Sequence, residues 1–323
     1  MSRSRIFALL LSCTCAAIAV FGAASSKAAT NEGGAKKLTI GVVVLSFTDP
    51  NLVQFSKGIA KQGKKYGYSV SQADSNADPA RANSLMQIFV NKRVDAIVVG
   101  AFDPASLKAG IVAANAAKIP VYSYLTFGRP KGITGVLSQI AAVQQTERMV
   151  KDLGGKGSVL AFTFHPGQPC VYAETAFDQI LKKTPAIKIQ KVEVKVPGAI
   201  QGGQVATAAF LRSHPAGSGP LAVWGCWDNP NLGAVAALNE ASRADVKVYG
   251  DYGEAGALQL IKKKQYTATW FFDSSQQGQK IVDLIRADSK KSKVTPTYVN
   301  ATPIMVDQTN IDQFLATHPN AIK

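Results

Sequence analysis

The chain has 323 residues, of which 46% are hydrophobic and 18% charged, a composition that can form about two domains with apolar cores. Its formal net charge is +15, but the lysines are scattered in pairs and triplets along predicted helix faces and loops, as is usual for solvated surfaces. No nucleic-acid-binding motif accompanies this charge, so a nucleic-acid partner is not expected.

Residues 1–28 have the pattern of a signal peptide. Arg3 and Arg5 precede an apolar run over residues 6–24, and a small-residue cleavage site follows at residues 26–28. No later stretch offers the roughly 18 uninterrupted apolar residues of a membrane-spanning helix. The mature chain is therefore expected to be soluble and exported to the periplasm.

The first predicted strand covers residues 38–45, a continuous apolar run that is typical of a strand buried on both faces. It ends in the polar and aromatic stretch 47–51, where Pro50 stops the strand and Thr48 or Asp49 can cap the following helix. Open α/β sheets bind their ligands at the carboxyl ends of such strands. The stretch is therefore either a ligand-binding loop or a plain capped turn.

Strands and helices alternate at short spacing through both halves of the chain. The predicted strands cover residues 38–45, 68–73, 94–100 and 119–124 in the first half, and 158–164, 189–196, 221–227, 246–249 and 267–272 in the second. The predicted helices cover residues 51–66, 105–117, 170–181, 203–213, 231–241, 254–263 and 276–285, with one more that begins after Asp78. This alternation predicts doubly wound α/β lobes with parallel sheets and right-handed crossovers.

A short internal match indicates that the two halves are similar lobes. Residues 100–103, Gly-Ala-Phe-Asp, align with residues 225–228, Gly-Cys-Trp-Asp, and each group follows the third strand of its half. Asp103 and Asp228 each precede an alanine-rich helix, so both are predicted to be N-caps.

The predicted second sheet is complete by residue 272, so the helix over 276–285 is assigned back to the first lobe and the tail to the second. The chain then crosses between the lobes near Leu137, Asp273 and Val299. The N-terminal lobe is predicted to comprise residues 36–137 and 274–298, and the C-terminal lobe residues 138–273 and 299–323.

Three stretches resemble the periplasmic solute-binding proteins of sugar ABC importers, the ribose- and galactose-binding type. They are LTIGVVVLSFTDPN from residue 38, DSNADPARANSLMQIFVNKRVDAIVVGAFDPASLKAGIVAANAAKIPVY from residue 74, and AVWGCWDNPNLGAVAALNEA from residue 222 with VYGDYGEAGALQLI after it. The resemblance implies the type I periplasmic-binding fold, with two Rossmann-like lobes, a three-segment hinge and a ligand held between the lobes.

By position, the resemblance implies that Asp49 and Asn51 contact the ligand from the first lobe. Trp227, Tyr252 and Phe272 stand where the family usually has an asparagine, an aspartate and an amide, and Asp251 precedes Tyr252. The family's Asp-Arg pair is replaced by Leu125-Thr126, and residues 170–174 lack the expected arginine. The site is therefore expected to be more aromatic and less charged than a ribose site.

Aromatic rings can stack on the C–H faces of a sugar, while carboxylates and amides bond its hydroxyls. Trp224 and Trp270 lie inside predicted strands and are assigned to the cores. The candidate ligand contacts, all at carboxyl ends of predicted strands, are Phe47, Asp49, Asn51, Phe102, Thr126, His165, Trp227, Asp251, Tyr252 and Phe272.

Two cysteines, Cys170 and Cys226, remain after the signal peptide. Pairing is expected in an oxidising compartment, and a flavodoxin-like strand order would place both at the cleft edge of neighbouring strands, within reach of a disulfide. The alternatives are two separate buried thiols, or a thiol nucleophile with His165 as its base.

These patterns predict a periplasmic protein that closes by a hinge around one small solute, expected to be a monosaccharide, and delivers it to an ABC permease in the inner membrane. We expect a monomer without a cofactor or a metal site. An enzyme is not expected, because the chain lacks G-x-S-x-G and H-E-x-x-H motifs. The alternative is a sensory co-receptor for a polyol, a furanone-type signal or an aromatic-bearing compound.

Overall fold

The structure, a computed structural model, describes residues 36–139 and 141–322. Within these ranges the strands are β1 (Thr39–Val44), β2 (Ser69–Asp74), β3 (Ala96–Gly100), β4 (Val121–Tyr124), β5 (Gly135–Gln139), β6 (Gly157–Thr163), β7 (Ile187–Glu193), β8 (Leu221–Gly225), β9 (Lys247–Tyr249), β10 (Ala268–Phe271), β11 (Thr297–Ala301) and β12 (Ile304–Asp307). The helices are α1 (Pro50–Lys65), α2 (Pro79–Asn91), α3 (Lys108–Ala116), α4 (Ala142–Asp152), α5 (Gln168–Leu181), α6 (Ala199–Ser213), α7 (Asp228–Glu240), α8 (Ala255–Lys262), α9 (Ser274–Asp288) and α10 (Ile311–Thr317).

These elements form two six-stranded sheets, one in each lobe. The strand order is β11-β5-β4-β3-β1-β2 in the first sheet and β12-β10-β9-β8-β6-β7 in the second. All neighbouring pairs are parallel except β10 and β12, which are antiparallel. The predicted fold class, two α/β lobes with parallel sheets, is confirmed.

The burial of a strand follows from its place in the sheet. The central strands β3 and β8 are buried along their whole length, as their continuous apolar sequences predict. The edge strands β2 and β7 are mostly half-buried or exposed and carry several polar residues. Each buried valine or leucine of the central strands contributes about 1.5–3 kcal/mol to folding, so the cores lie along these strands and hold their carboxyl ends in place.

The chain passes from one sheet to the other between β5 and α4, between β10 and α9, and between β11 and β12. The third crossing was predicted near Val299, but it follows Ala301, because β11 continues in parallel register with β5 up to the Ala301–Gln139 pair. The prediction that the second sheet is complete by residue 272 is wrong, since β12 adds an antiparallel edge strand beside β10.

Within the described residues, no helix is both long enough and apolar enough to span a membrane. The predicted signal peptide, residues 1–28, lies outside the described ranges and stays a prediction.

Replacing Gly203 with alanine is expected to lower the free energy of unfolding by about 1–3 kcal/mol, because α6 and α7 touch at this position. A Cβ atom on Gly203 would lie 1.9 Å from the carbonyl oxygen of Pro230, so the two helix backbones would have to separate. The neighbouring Gly202 is the matched control, since a Cβ atom there meets only Val194, at 3.6 Å.

The Gly202→Ala variant is expected to keep or slightly raise stability through its better helix propensity. Urea unfolding followed by circular dichroism measures both variants. Equal unfolding midpoints for the two would contradict the close helix contact.

Candidate functional site

A small central cavity lies between the two lobes, where the carboxyl ends of the parallel strands meet. Its volume is about 40 Å³. It is lined from the first lobe by Leu45, Asp49, Asn51, Leu52, Ala101 and Leu125, and from the second by Phe164, Gly167, Pro169, Cys170, Val196, Trp227 and Tyr252. A water molecule occupies about 30 Å³ in the liquid, and ligand pockets usually measure about 300–1,000 Å³. The lobes are therefore closed on each other, and a monosaccharide can enter only when they separate.

Two larger cavities share walls with the central cavity. The hinge-side cavity, about 480 Å³, is reached past Asn51 and Tyr252 and also includes Glu254, Phe272 and Ser274. The outer cavity, about 520 Å³, lies on the other side of Asp49, Val196 and Trp227. The central cavity thus shares lining residues with a cavity on each side, Asn51 and Tyr252 toward the hinge and Asp49, Val196 and Trp227 toward the outer surface.

Four of the ten candidate contacts line the central cavity, namely Asp49, Asn51, Trp227 and Tyr252. Phe272 lines the hinge-side cavity instead, with its ring centroid 6.2 Å from that of Tyr252. Trp227 is only 5% exposed and packs against Phe164, with ring centroids 5.9 Å apart. The structure therefore brings two aromatic side chains of the second lobe, Trp227 and Tyr252, to the same cavity as two polar side chains of the first, Asp49 and Asn51.

The other five candidates do not line these three cavities. Phe47 is half-buried and packs against the core, Phe102 and Thr126 are fully buried, and Asp251 is buried and accepts the backbone N–H of Tyr252 at 2.9 Å.

His165 is exposed on the second lobe, with Nε2 3.1 Å from Glu174 and Nδ1 3.1 Å from Glu193. Since both ring nitrogens face carboxylates, the pKa of His165 is raised, chiefly by the hydrogen bond to Glu193. The contacts with Glu174 and Glu193 hold the imidazole ring at the surface of the second lobe. Nothing in this geometry connects His165 to the interlobe cavities.

Asp49 combines both roles that its sequence position suggested. Its side chain accepts the backbone N–H of Leu52 at 3.0 Å and so caps α1, with Pro50 at the first helical position. It also lines the central and outer cavities. Burial raises the pKa of Asp49 to about 6, against the opposing effect of the backbone hydrogen bonds from Leu52 and Asn51.

Asn51 is fixed by a buried network that reaches the hinge. The Tyr124 hydroxyl donates to Oδ1 of Asn51 at 3.1 Å and to Oγ of Ser274 at 3.2 Å, and Ser274 also donates to Asn51. Ser274 is the first residue of α9, directly after the second crossing. Within the described chain the amide nitrogen of Asn51 makes no hydrogen bond, so it can donate to a ligand.

The two predicted N-caps are wrong. Asp228 is the first residue of α7, and its buried carboxylate accepts from the Tyr266 hydroxyl at 2.7 Å, the Glu254 N–H at 2.8 Å and the Thr269 hydroxyl at 3.0 Å. It therefore joins α7 to strand β10, to the segment before β10 and to the start of α8, and burial raises its pKa to about 7. Asp103 caps a turn through the Ala105 N–H, because α3 begins only at residue 108.

Glu254 is a site residue that the sequence interpretation missed. It precedes α8 and is 6% exposed, and in the described part of the chain neither carboxylate oxygen has a hydrogen-bond partner. Burial raises its pKa well above the usual range, and the charges of Asp49 and Asp228 add to the rise. The stretch VYGDYGEAGA could have indicated it only through its place beside Asp251 and Tyr252.

Direct contacts join the two lobes beside the central cavity. The backbone N–H of Phe127 donates to Oε1 of Gln168 at 3.1 Å, and the rings of Phe127 and Tyr172 stack with centroids 4.3 Å apart. Phe102 forms an antiparallel bridge with Gly167. These contacts hold the closed arrangement without involving the cavity-lining polar groups.

Cys170 and Cys226 form a disulfide with a Cα–Cα distance of 5.1 Å. The two residues meet because β6 and β8 are neighbours, in the order expected from the sequence. The bond connects the start of α5 to the residue before Trp227, and Cys170 itself lines the central cavity.

Comparison with known proteins gives consistent matches across most of the chain. Residues 40–293 match the model of the family described as periplasmic binding protein domain. The ribose import binding protein RbsB of Bacillus subtilis (strain 168) is 26% identical over 243 residues, which cover 74% of this chain and 78% of that protein.

Solved structures agree in fold. An ABC transporter solute binding protein from Agrobacterium vitis with bound allitol matches with a TM-score of 0.80 and 21% identity, covering 88% of this chain and 99% of that one. An ABC sugar transporter subunit from Rhodobacter sphaeroides 2.4.1 matches with a TM-score of 0.78 and 22% identity, covering 84% and 99%.

Proposed function

The chain belongs to the periplasmic binding protein domain family, and from this premise we propose that it is the substrate-binding component of an ABC importer for a sugar or polyol. The observation that carries the proposal is the central cavity between the lobes, where Trp227 and Tyr252 face Asp49 and Asn51. Rings and polar groups on opposite walls suit a molecule with C–H faces and hydroxyls. A ribose import protein and an allitol-bound protein among the relatives support the same class.

The proposed mechanism is closure of the two lobes around the ligand. The central cavity of about 40 Å³ is too small for a sugar, so the ligand binds while the lobes are apart and the site forms as they approach. A ligand shifts this equilibrium only through contacts that exist in the closed state. Such contacts come from first-lobe groups, Asp49 and Asn51, together with second-lobe groups, Trp227 and Tyr252.

We further propose that the mature protein is a monomer in the periplasm and passes its ligand to a permease in the inner membrane. The family supports the periplasmic location, and the importer names of the relatives support the permease. The Phe127–Tyr172 stack and the hydrogen bond from Phe127 to Gln168 join the two lobes. A permease that binds both lobes at once would therefore distinguish the closed state from the open one.

A thermal-shift screen of sugars, polyols, amino acids and aromatic acids tests the ligand class. Binding to the native state raises Tm, since a ligand at 100 times its Kd adds about 2.7 kcal/mol to the free energy of unfolding. We expect at least one sugar or polyol to raise Tm by several degrees. The proposal fails if only amino acids or aromatic acids do so.

A further inference from the structure

Two carboxyl groups from opposite lobes line adjoining cavities of the interlobe space. Asp49 follows β1 of the first lobe, and Glu254 precedes α8 of the second. The charge of Asp49 adds to the rise in the pKa of Glu254, after the larger effect of burial. Asp49 lines the central cavity and Glu254 the hinge-side cavity, and Asn51 and Tyr252 form the shared wall between them.

The neighbouring acids already have protein partners, but Glu254 does not. Asp228 accepts three different donors, Asp251 accepts a backbone N–H, and Asp49 caps α1. The carboxylate of Glu254 is more than nine-tenths buried and faces no donor in the described ranges. A buried polar group without a partner costs about 1–3 kcal/mol, and a charged one more, so this group is available to a ligand.

Positive charge is scarce around these acids. Among residues 36–139 and 141–322, no lysine, arginine or histidine forms an ion pair with Asp49, Asp228, Asp251 or Glu254. Two basic residues line the hinge-side cavity. His318 is stacked on Phe314 and bonded to its carbonyl oxygen, and Lys61 is exposed on α1. Within the described ranges the hinge-side cavity therefore offers the Glu254 carboxyl group, which forms no ion pair with a lysine, arginine or histidine, and a bound ammonium group would favour its ionised form.

We propose that the ligand carries a protonated amine that binds the unpartnered carboxyl group of Glu254, so that the substrate class is an amino sugar or aminopolyol. This inference rests on the proposed function, whose ring-lined cavity would hold the hydroxyl-bearing skeleton. The ammonium group donates to the Glu254 carboxylate, and such charge-assisted hydrogen bonds are about twice as strong as neutral ones. A solute with its own carboxylate or phosphate would instead place its negative charge beside the Glu254 carboxyl group, where no cation of the described protein is paired with it.

Matched sets of ligands separate the charge of the ligand from its stereochemistry. For each sugar or polyol skeleton in the thermal-shift screen, the neutral parent, its monoamino derivative and its carboxylate derivative are titrated by calorimetry against the full mature chain. We expect the amino compound to bind at least tenfold more tightly than its neutral parent, and the carboxylate to bind at least tenfold more weakly.

Glu254→Gln is expected to reduce the affinity for the amino compound at least tenfold while changing that for the neutral parent less than threefold. Glu240→Gln is the matched control, because it removes one exposed carboxylate of the same lobe on α7, and it should leave both affinities unchanged. If Glu254→Gln does not fold, the order of affinities of the wild-type protein for the three members of each set decides the question.

The inference is overturned if neutral parents bind as tightly as their amino derivatives, or if a carboxylate derivative binds within threefold of its parent. In both cases the proposed sugar or polyol function still stands. If no neutral, amino or carboxylate member of any set binds, the proposed function itself fails and the inference fails with it.

Discussion

Replacing Trp227 with alanine is expected to weaken ligand binding about 100-fold. The indole is 5% exposed, lines both the central and the outer cavity and is backed by Phe164. Buried tryptophans at the centre of a binding surface commonly contribute 2 kcal/mol or more, and a loss of about 2.8 kcal/mol corresponds to 100-fold in Kd. Calorimetric titration with a ligand from the thermal-shift screen measures this loss.

Trp227→Phe is the matched control, since it keeps an aromatic surface at the same place and should lose less than tenfold. The far-ultraviolet circular dichroism and the Tm of both variants show whether the second lobe stays folded. A Trp227→Ala variant that is folded and binds within threefold of the wild type would contradict the placement of this ring in the site.

The central strands of both sheets could be predicted because the information is local. Continuous apolar runs mark β1, β3 and β8 as central strands, and short turns between strands and helices leave only right-handed parallel crossovers. The repeated pattern of glycine, any residue, an aromatic residue and aspartate correctly aligned the third strands of the two lobes. The two aromatic residues nevertheless differ in role. Phe102 is buried and bridges to Gly167, whereas Trp227 lines the cavities.

Other features depend on contacts between distant segments. The sequence of β5 contains Ser138 and Gln139, two polar residues that become buried only where β5 is covered in the complete sheet. The helix α4, which was not predicted, is positioned by the Gln145 amide, which donates to the carbonyl oxygens of Gly225 and Tyr249. Neither the burial of these β5 residues nor the hydrogen bonds of Gln145 leave a periodic pattern in the local sequence.

Part of the site was equally hidden. Asp228 follows a strand and precedes a helix, which is the usual place of an N-cap, yet its partners are Tyr266, Thr269 and the backbone of Glu254. Glu254 stands out only because no donor reaches it, and that property does not exist before the fold does. The polar residues at strand ends could be predicted as a group, but their separate roles follow from three-dimensional contacts.

Removal of the Cys170–Cys226 disulfide is expected to lower the free energy of unfolding by about 4 kcal/mol. The two residues are 56 positions apart, and a cross-link that closes a loop of this length restricts the unfolded chain by roughly that amount. The bond also holds the start of α5 against the end of β8, so the second-lobe wall formed by Cys170 and Trp227 should become looser when it is absent.

The double variant Cys170→Ser/Cys226→Ser, compared with the oxidised wild type in urea, measures the loss of stability. Cys170→Ala/Cys226→Ala is the control for buried hydroxyls, since both cysteines are almost fully buried and an unpaired hydroxyl adds its own cost. Because the bond lies beside the cavity and away from the hinge segments, ligand affinity is expected to fall less than stability, by about tenfold or less. Unchanged unfolding midpoints for both double variants, or two free thiols in the exported wild-type protein, would contradict a stabilising bond at the wall of the site.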